Sequence, residues 1–134
     1  MELSSYLSFN GQAREAMQFY ADVFGGELEM NTFAEFGMDG DAGDQIMHAS
    51  LHMPSGQTLM GSDTPPEMQY SEGTRVTLIL HGEDEAELRG KWERLSDGGE
   101  VTVALAKQMW GDTYGACVDK YGITWMVNIA QPGA

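Results

Sequence analysis

Two stretches of the chain carry apolar residues at the spacing of an amphipathic helix, from about Gln12 to Phe24 and from about Asp84 to Leu95. Residues three and four positions apart share one helix face, so each stretch predicts a helix with one buried side. Asn10 and Asp84 are the predicted N-caps, because a short polar side chain there accepts a bond from a free backbone N–H. The apolar stripes are Ala13, Ala16, Met17, Tyr20 and Phe24 in the first helix, and Leu88, Trp92 and Leu95 in the second.

Both predicted helices end in Gly-Gly-Glu, at residues 25–27 and 98–100. Glycine closes a helix well because it adopts the left-handed conformation without a Cβ clash. The two signatures lie about half the chain apart, which predicts an internal duplication. Strand-like runs follow the same order in both halves. They lie at about 5–9, 28–36, 46–53 and 57–62, and again at 75–80, 100–104, 113–118 and 124–129.

Each half therefore has the pattern β-α-β-β-β. The predicted fold class is α+β, with two such modules forming curved mixed sheets around a cleft within one domain. Module one covers about residues 1–63 and module two about 74–130. The linker is about 64–73, where Pro65 and Pro66 exclude a helix interior or a central strand.

Composition narrows the function classes. The 134 residues are 42% hydrophobic, and 21 acids against 7 bases give a formal charge of −14. Such a chain repels phosphate backbones and anionic lipid surfaces, which argues against a nucleic-acid or membrane partner. The sequence shows no signal-like N-terminal segment and only one cysteine, Cys117, so we expect a cytoplasmic protein without an internal disulfide. Cys117 has no basic neighbour in sequence and is expected to be an inert strand residue.

Seven short motifs occur along nearly the whole chain in a fixed order. They are YLSFNG (6–11), AMQFY (16–20), VFGG (23–26), MHA (47–49), LMGSD (59–63), WGDTYG (110–115) and DKYGITWM (119–126). Together with the β-α-β-β-β duplication, these motifs resemble the PhnB-like branch of the vicinal-oxygen-chelate superfamily. That superfamily includes glyoxalase I, bleomycin-binding proteins and extradiol dioxygenases. The resemblance implies the two-module fold and a homodimer, and leaves both enzymes and pure binding proteins open.

Metal-dependent members of that superfamily hold an ion with four side chains from the first and last strands of each module. The resemblance carries these positions onto Ser5, Met60 and Met126, with Arg75 or Thr77 as the fourth. Methionine thioether suits soft Cu(I) rather than Zn, Ni, Mn or Fe, serine and threonine are poor ligands, and arginine repels cations. We therefore predict no metal site and no cofactor.

A cleft between two sheets is a usual place for a small ligand. The residues predicted to line it are Ser5, Leu7, Phe9, His48, Met60, Ser62, Thr77, Trp110 and Met126. The methionines and Trp110 suggest a soft, apolar ligand. If Met126 lines the cleft, Trp125 points the other way and packs beneath the helix. The predicted function is a metal-free small-molecule-binding protein whose ligand is unknown.

Two alternatives remain open. One is a lyase, isomerase or dioxygenase-type enzyme that uses His48 as a general base. His52 lies about 13 Å further along the same strand, so the two histidines are too far apart to bind one ion together. The other is an interaction module that uses linker residues such as Met68 and Tyr70. The acidic segment 37–44 resembles a calcium loop only at Asp39 and Asp41, and is interpreted as an acidic loop.

Overall fold

The computed structural model describes residues 4–37, 40, 42–64, 70, 73 and 76–131. The chain divides into two compact units, Met1–Glu72 and Gly73–Ala134. Some predicted features lie outside the described residues, namely Arg75, Asp39, Asp41, Met68 and residues 65–69 of the linker. Each unit has the element order β-α-β-β-β, so the predicted α+β fold with duplicated modules is confirmed.

The first unit is a four-stranded mixed sheet with one helix. Its elements are β1 (Ser5–Phe9), α1 (Ala13–Phe24), β2 (Glu27–Thr32), a 3-10 helix (Ala34–Phe36), β3 (Ile46–His52) and β4 (Thr58–Asp63). The strand order is β1-β4-β3-β2, with β1 parallel to β4 and the other pairs antiparallel. The strand predicted at 28–36 ends at Thr32, where its register against β3 shifts and the 3-10 turn begins.

Helix α1 covers one face of this sheet. It buries Ala13, Ala16, Met17, Tyr20 and Val23, whereas Phe24 of the predicted stripe is only half-buried. Gly61 of β4 leaves the space that the helix needs. A Cβ atom there would lie 3.2 Å from Sδ of Met17 and 3.1 Å from the carbonyl oxygen of Leu7. The missing side chain therefore lets a large methionine pack onto the sheet.

The start of α1 differs from the prediction. Asn10 is not its N-cap; the cap position is Gln12, whose side chain makes no capping bond. Asp63, at the end of β4 and 1% exposed, supplies the acceptor instead. Its Oδ1 accepts the backbone N–H groups of Gly11 and Ala13 at 2.8 and 3.0 Å, and its Oδ2 accepts that of Ile46 at 2.9 Å. One carboxylate thus joins the start of α1 to both central strands.

The second unit repeats this arrangement. Its elements are β5 (Leu78–Gly82), α2 (Glu85–Ser96), β6 (Glu100–Lys107), β7 (Thr113–Val118) and β8 (Thr124–Ile129), in the sheet order β5-β8-β7-β6. Strands β1 and β5 start 73 positions apart (78 minus 5), but β4 and β8 start 66 apart (124 minus 58). The offset falls because the β6–β7 connection is shorter than the β2–β3 connection.

Helix α2 follows its sequence signals closely. Asp84 caps it by accepting the backbone N–H of Glu87 at 3.0 Å, as predicted. The stripe of Leu88, Trp92 and Leu95 is buried against the sheet. Within the described ranges, no helix is long and apolar enough to cross a membrane.

Candidate ligand-binding face

The open face of the first sheet is defined as the face turned away from α1. Gly61 points towards the helix, and side chains alternate along a strand, so the neighbouring positions of β4 point away from it. The register of the strands then assigns the remaining residues. The open face carries Tyr6, Ser8, Glu27, Glu29, Asn31, His48, Ser50, His52, Thr58, Met60 and Ser62.

Three side chains form a hydrogen-bonded cluster on this open face. Nδ1 of His48 lies 3.3 Å from the hydroxyl of Tyr6, and Nε2 of His48 lies 3.0 Å from the hydroxyl of Ser50. Ser50 is buried, His48 is half-buried and Tyr6 is 51% exposed. A neutral imidazole has one donor and one acceptor, and each hydroxyl can act as either. The cluster therefore offers both kinds of hydrogen bond to a molecule lying over it.

Met60 lies within the same surface. It pairs with Tyr6 on one side and with Ser50 on the other, so its half-buried side chain stands between the phenol and the serine. Methionine is soft and adapts its shape to an apolar or aromatic group. The face thus combines one adaptable apolar position with several hydrogen-bonding groups.

His52 has different surroundings from His48. Its Nε2 lies 3.8 Å from Oε2 of Glu29, and its Nδ1 lies 3.4 Å from Oγ1 of Thr58. Its side chain is 52% exposed. The two histidines thus share a strand and a face but contact different side chains.

The structure brings together only part of the predicted cleft in the first unit. His48, Met60 and Ser62 lie on the open face, whereas Ser5, Leu7 and Phe9 pair with Leu59, Gly61 and Asp63 on the helix side. Leu7 and Phe9 are 9% and 2% exposed and belong to the core under α1. Their assignment to a surface shared with His48 is therefore wrong by one position in β1. Tyr6 and Ser50, which are not among the predicted lining residues, take their place.

The second sheet also has a face turned away from its helix. Met126 lies there, and its Sδ accepts a hydrogen bond from the hydroxyl of Tyr114 at 3.0 Å. The ring of Trp110, which is 65% exposed, lies 6.5 Å from that of Tyr114. Thr77 precedes β5 and lies outside the strand. Trp125 is 3% exposed in a row with Cys117 on the helix side, so the prediction that it packs beneath α2 is confirmed.

The two open faces differ in chemistry at matching places. Tyr6, Ser50 and Met60 form one row in the first sheet, and Ile79, Ala116 and Met126 form the equivalent row in the second. Only the methionine is common to both rows. The hydrogen-bonding cluster is therefore a feature of the first sheet, while the apolar lining predicted from the methionines describes the second sheet better.

The residues present do not fit the metal of the vicinal-oxygen-chelate superfamily. Ser5 and Met60 lie on opposite faces of their sheet, so the two positions expected to share an ion point apart. In the part of the chain that the structure describes, no three His, Cys, Asp or Glu side chains are grouped closely enough to hold an ion. The buried carboxylates Asp63 and Asp119 accept bonds from the protein itself.

Cys117 is not a nucleophile candidate. Burial, and to a lesser extent the negative charge of Asp119, raises the pKa of its thiol from 9.0 to about 11. The thiol is therefore protonated near neutral pH, and its side chain is fully buried.

The chain is similar over nearly its full length to solved structures. Protein PA1353 from Pseudomonas aeruginosa is 35% identical, with a TM-score of 0.89 over 98% of both chains. A PhnB protein from Bacillus cereus is 25% identical, with a TM-score of 0.80 over 97% of this chain and 100% of its own. Protein YjdN of Escherichia coli (strain K12) is 29% identical over 98% of this chain and 97% of its own.

A more distant structure shares the fold alone. A glyoxylase/bleomycin resistance protein/dioxygenase domain from Frankia sp. EAN1pec has 16% identity and a TM-score of 0.66 over 100% of this chain and 95% of its own. The chain thus shares its fold with this glyoxylase/bleomycin resistance protein/dioxygenase domain. It belongs to the PhnB-like family described as 3-demethylubiquinone-9 3-methyltransferase, whose model matches residues 1–128.

Proposed function

We propose that this protein binds a small organic molecule, without a metal ion, on the open face of its first sheet. The observation that carries the proposal is the Tyr6–His48–Ser50 cluster beside Met60. Hydrogen-bonding groups placed around an adaptable apolar side chain are typical of small-molecule sites. The superfamily fold is compatible with this function, since it supports both binding proteins and enzymes.

The cluster differs from the structural polar groups of the same unit. The carboxylate of Asp63 accepts hydrogen bonds from three backbone N–H groups and thereby stabilises the fold. Tyr6, His48 and Ser50 bond to one another through their side chains and hold no backbone group in these contacts. A ligand can therefore replace these bonds without opening the sheet, and this favours binding over a purely structural role.

The methyltransferase activity in the family description is not part of the proposal. A dinucleotide or S-adenosylmethionine type of site uses free backbone N–H groups in a strand-to-helix loop. At the start of α1 the N–H groups of Gly11 and Ala13 are already bonded to Asp63. Two of the donors in this connection are therefore already engaged within the protein.

A second candidate function is catalysis with His48 as a general base, as in a lyase or isomerase. The specific observation in its favour is the imidazole of His48 between two hydroxyl groups, with each ring nitrogen within 3.3 Å of one of them. A base held in this way is oriented for proton transfer. The two candidates share one site, so turnover of an identified ligand distinguishes them.

The test is a thermal-shift screen with a fragment set of aromatic alcohols, ketones and amines, in buffer containing EDTA. Hits on the natural protein are repeated on His48→Ala and on the control His81→Ala, which removes an exposed imidazole from β5 of the second unit. We expect the hits to lose most of their stabilising effect in His48→Ala and to keep it in His81→Ala. Equal responses of the two variants, or no hits at all, would contradict the proposed site.

The sequence-based expectations of a homodimer and of a cytoplasmic location are also proposals. Light scattering at micromolar concentration tests the first, because a mass near 14.7 kDa would contradict it. Fractionation of cells that express the chain at native level tests the second.

A further inference from the structure

We infer that the ligand of the open face is a small organic cation with an apolar body, such as an arylalkylamine. This inference rests on the proposed function and adds the charge and the orientation of the ligand. It comes from one row of side chains across the four strands and from the distribution of charge on the first sheet.

The row contains Tyr6, Met60, Ser50 and Glu29, one residue from each strand, in that order. The register pairs Tyr6 with Met60, Met60 with Ser50, and Ser50 with Glu29. Neighbouring strands lie about 4.8 Å apart, so the row spans roughly 14 Å and Glu29 lies roughly 10 Å from Met60 at the backbone. The row therefore has an aromatic and apolar end and an acidic end, with the hydroxyl of Ser50 between them.

This order matches a ligand with an aromatic ring and an amine separated by a short chain. The ring packs on Met60 and the exposed ring of Tyr6, because sulfur and aromatic surfaces attract another aromatic group. The side chain of Glu29 is 74% exposed and extends from the far end of the row. Its Oε2 lies 3.8 Å from Nε2 of His52, and the exposed carboxylate can also meet an ammonium group. His48 and Ser50 then offer hydrogen bonds to the middle of the ligand.

The charges on the sheet favour a cation over an anion. None of the strands β1, β2, β3 and β4 contains a lysine or an arginine, whereas Glu27 and Glu29 both lie on the open face. Arg14 of α1 is directed at the carbonyl oxygen of Asp44 in a loop. A phosphate, phosphonate or carboxylate would therefore meet no strong positive partner on the strands, and it would face a chain of net charge −14.

The experiment uses three compounds with the same ring and spacer: 2-phenylethylamine, 2-phenylethanol and 3-phenylpropionate. Each is titrated into 15N-labelled protein at neutral pH and low salt, and the affinity is taken from backbone amide shifts of β3 and β4. We expect the amine to bind tightest and the carboxylate weakest, with amine binding weakened by added salt. Glu29→Gln should lower the amine affinity about two- to fivefold, the range for one exposed charge pair, and leave the alcohol unchanged.

The control is Glu35→Gln, which removes the same charge from the exposed 3-10 helix outside the sheet. A loss of amine affinity equal to that of Glu29→Gln would show a general charge effect and overturn the role of Glu29. Preferred binding of the carboxylate at the same amides would overturn the cation inference but leave the proposed site intact. If none of the compounds shifts these amides, while the fragment screen gives hits that depend on His48, the cation inference alone fails. If none of the compounds shifts these amides and the fragment screen gives no hits that depend on His48, the proposed function is contradicted as well.

Discussion

Replacement of Asp63 tests how the first unit holds its site in place. Its carboxylate is 1% exposed and accepts three backbone N–H groups, from Gly11, Ala13 and Ile46. The bond to Ile46 holds the beginning of β3 two residues before His48, and the other two hold the start of α1. Loss of this carboxylate should therefore loosen the helix and the strand together.

The magnitude follows from the burial of the three donors. Ala13 and Ile46 are buried, while Gly11 is exposed and can bond to water instead. A buried donor left without a partner costs about 1–3 kcal/mol, so Asp63→Ala should lower the free energy of unfolding by about 3–5 kcal/mol. Asp63→Asn keeps one oxygen for the helix but turns an NH₂ group towards the N–H of Ile46. It should cost about 1–3 kcal/mol.

Urea unfolding followed by circular dichroism measures both variants. The control is Asp84→Ala, which removes the exposed N-cap of α2 and its single bond to Glu87 and should cost about 1 kcal/mol. The denaturant dependence of the free energy should stay the same in all variants that unfold in two states. If Asp63→Ala costs no more than Asp84→Ala, the carboxylate does not join helix and strands as described. Asp63→Asn keeps the comparison available if the alanine variant does not fold.

Three further outcomes concern the second unit. Cys117 should resist alkylation at about pH 8 in the folded protein and react readily in urea, because its raised pKa and burial keep the thiol protonated and inaccessible; rapid alkylation of the folded protein would show that the strand opens. Because the thiol is harder to ionise in the folded protein than in the unfolded chain, its contribution to stability is complete below about pH 9 and is lost as the pH rises through about 11. Cys117→Ala should remove this pH dependence of the stability. Trp125→Phe should cost about 1–3 kcal/mol in urea unfolding, since it removes the indole N–H that Asp119 accepts at 2.8 Å and leaves packing space unfilled. No loss of stability would show that this bond contributes nothing net.

Most secondary-structure elements could be predicted from local patterns. Strands β1, β7 and β8 have the predicted bounds, and both helices begin and end within one residue of them. These elements combine strong periodicity with glycine or aspartate at their ends, which are local signals. The cap of α1 could not be predicted in this way. Its acceptor, Asp63, lies about fifty residues further along the chain, and only the pairing of β1 with β4 brings it to the helix.

The residues of the candidate site also depend on the pairing of strands that are far apart in the sequence. Motifs indicate His48 and Met60, but the open-face positions of β1 follow only from its register against β4. A shift of one residue reverses the face of every side chain in a strand, so the prediction places Leu7 instead of Tyr6 among the residues that line the ligand site. Gly61 contains the missing information, since a glycine inside a strand often marks a place where another part of the chain approaches closely, and here that part is Met17 of α1. Ser50 could have been found as the residue two positions after His48 on the same face.

The most direct test of metal-free binding on the open face is a map of the backbone amides that shift when 2-phenylethylamine binds, recorded with and without EDTA. The account predicts the largest shifts at Tyr6, Ser50 and Met60 of the first sheet and an affinity that EDTA leaves unchanged. Shifts that disappear with EDTA would show that a metal takes part in binding. Shifts centred on Ala16, Met17 and the other residues of α1, with the open face unaffected, would show that the ligand binds elsewhere.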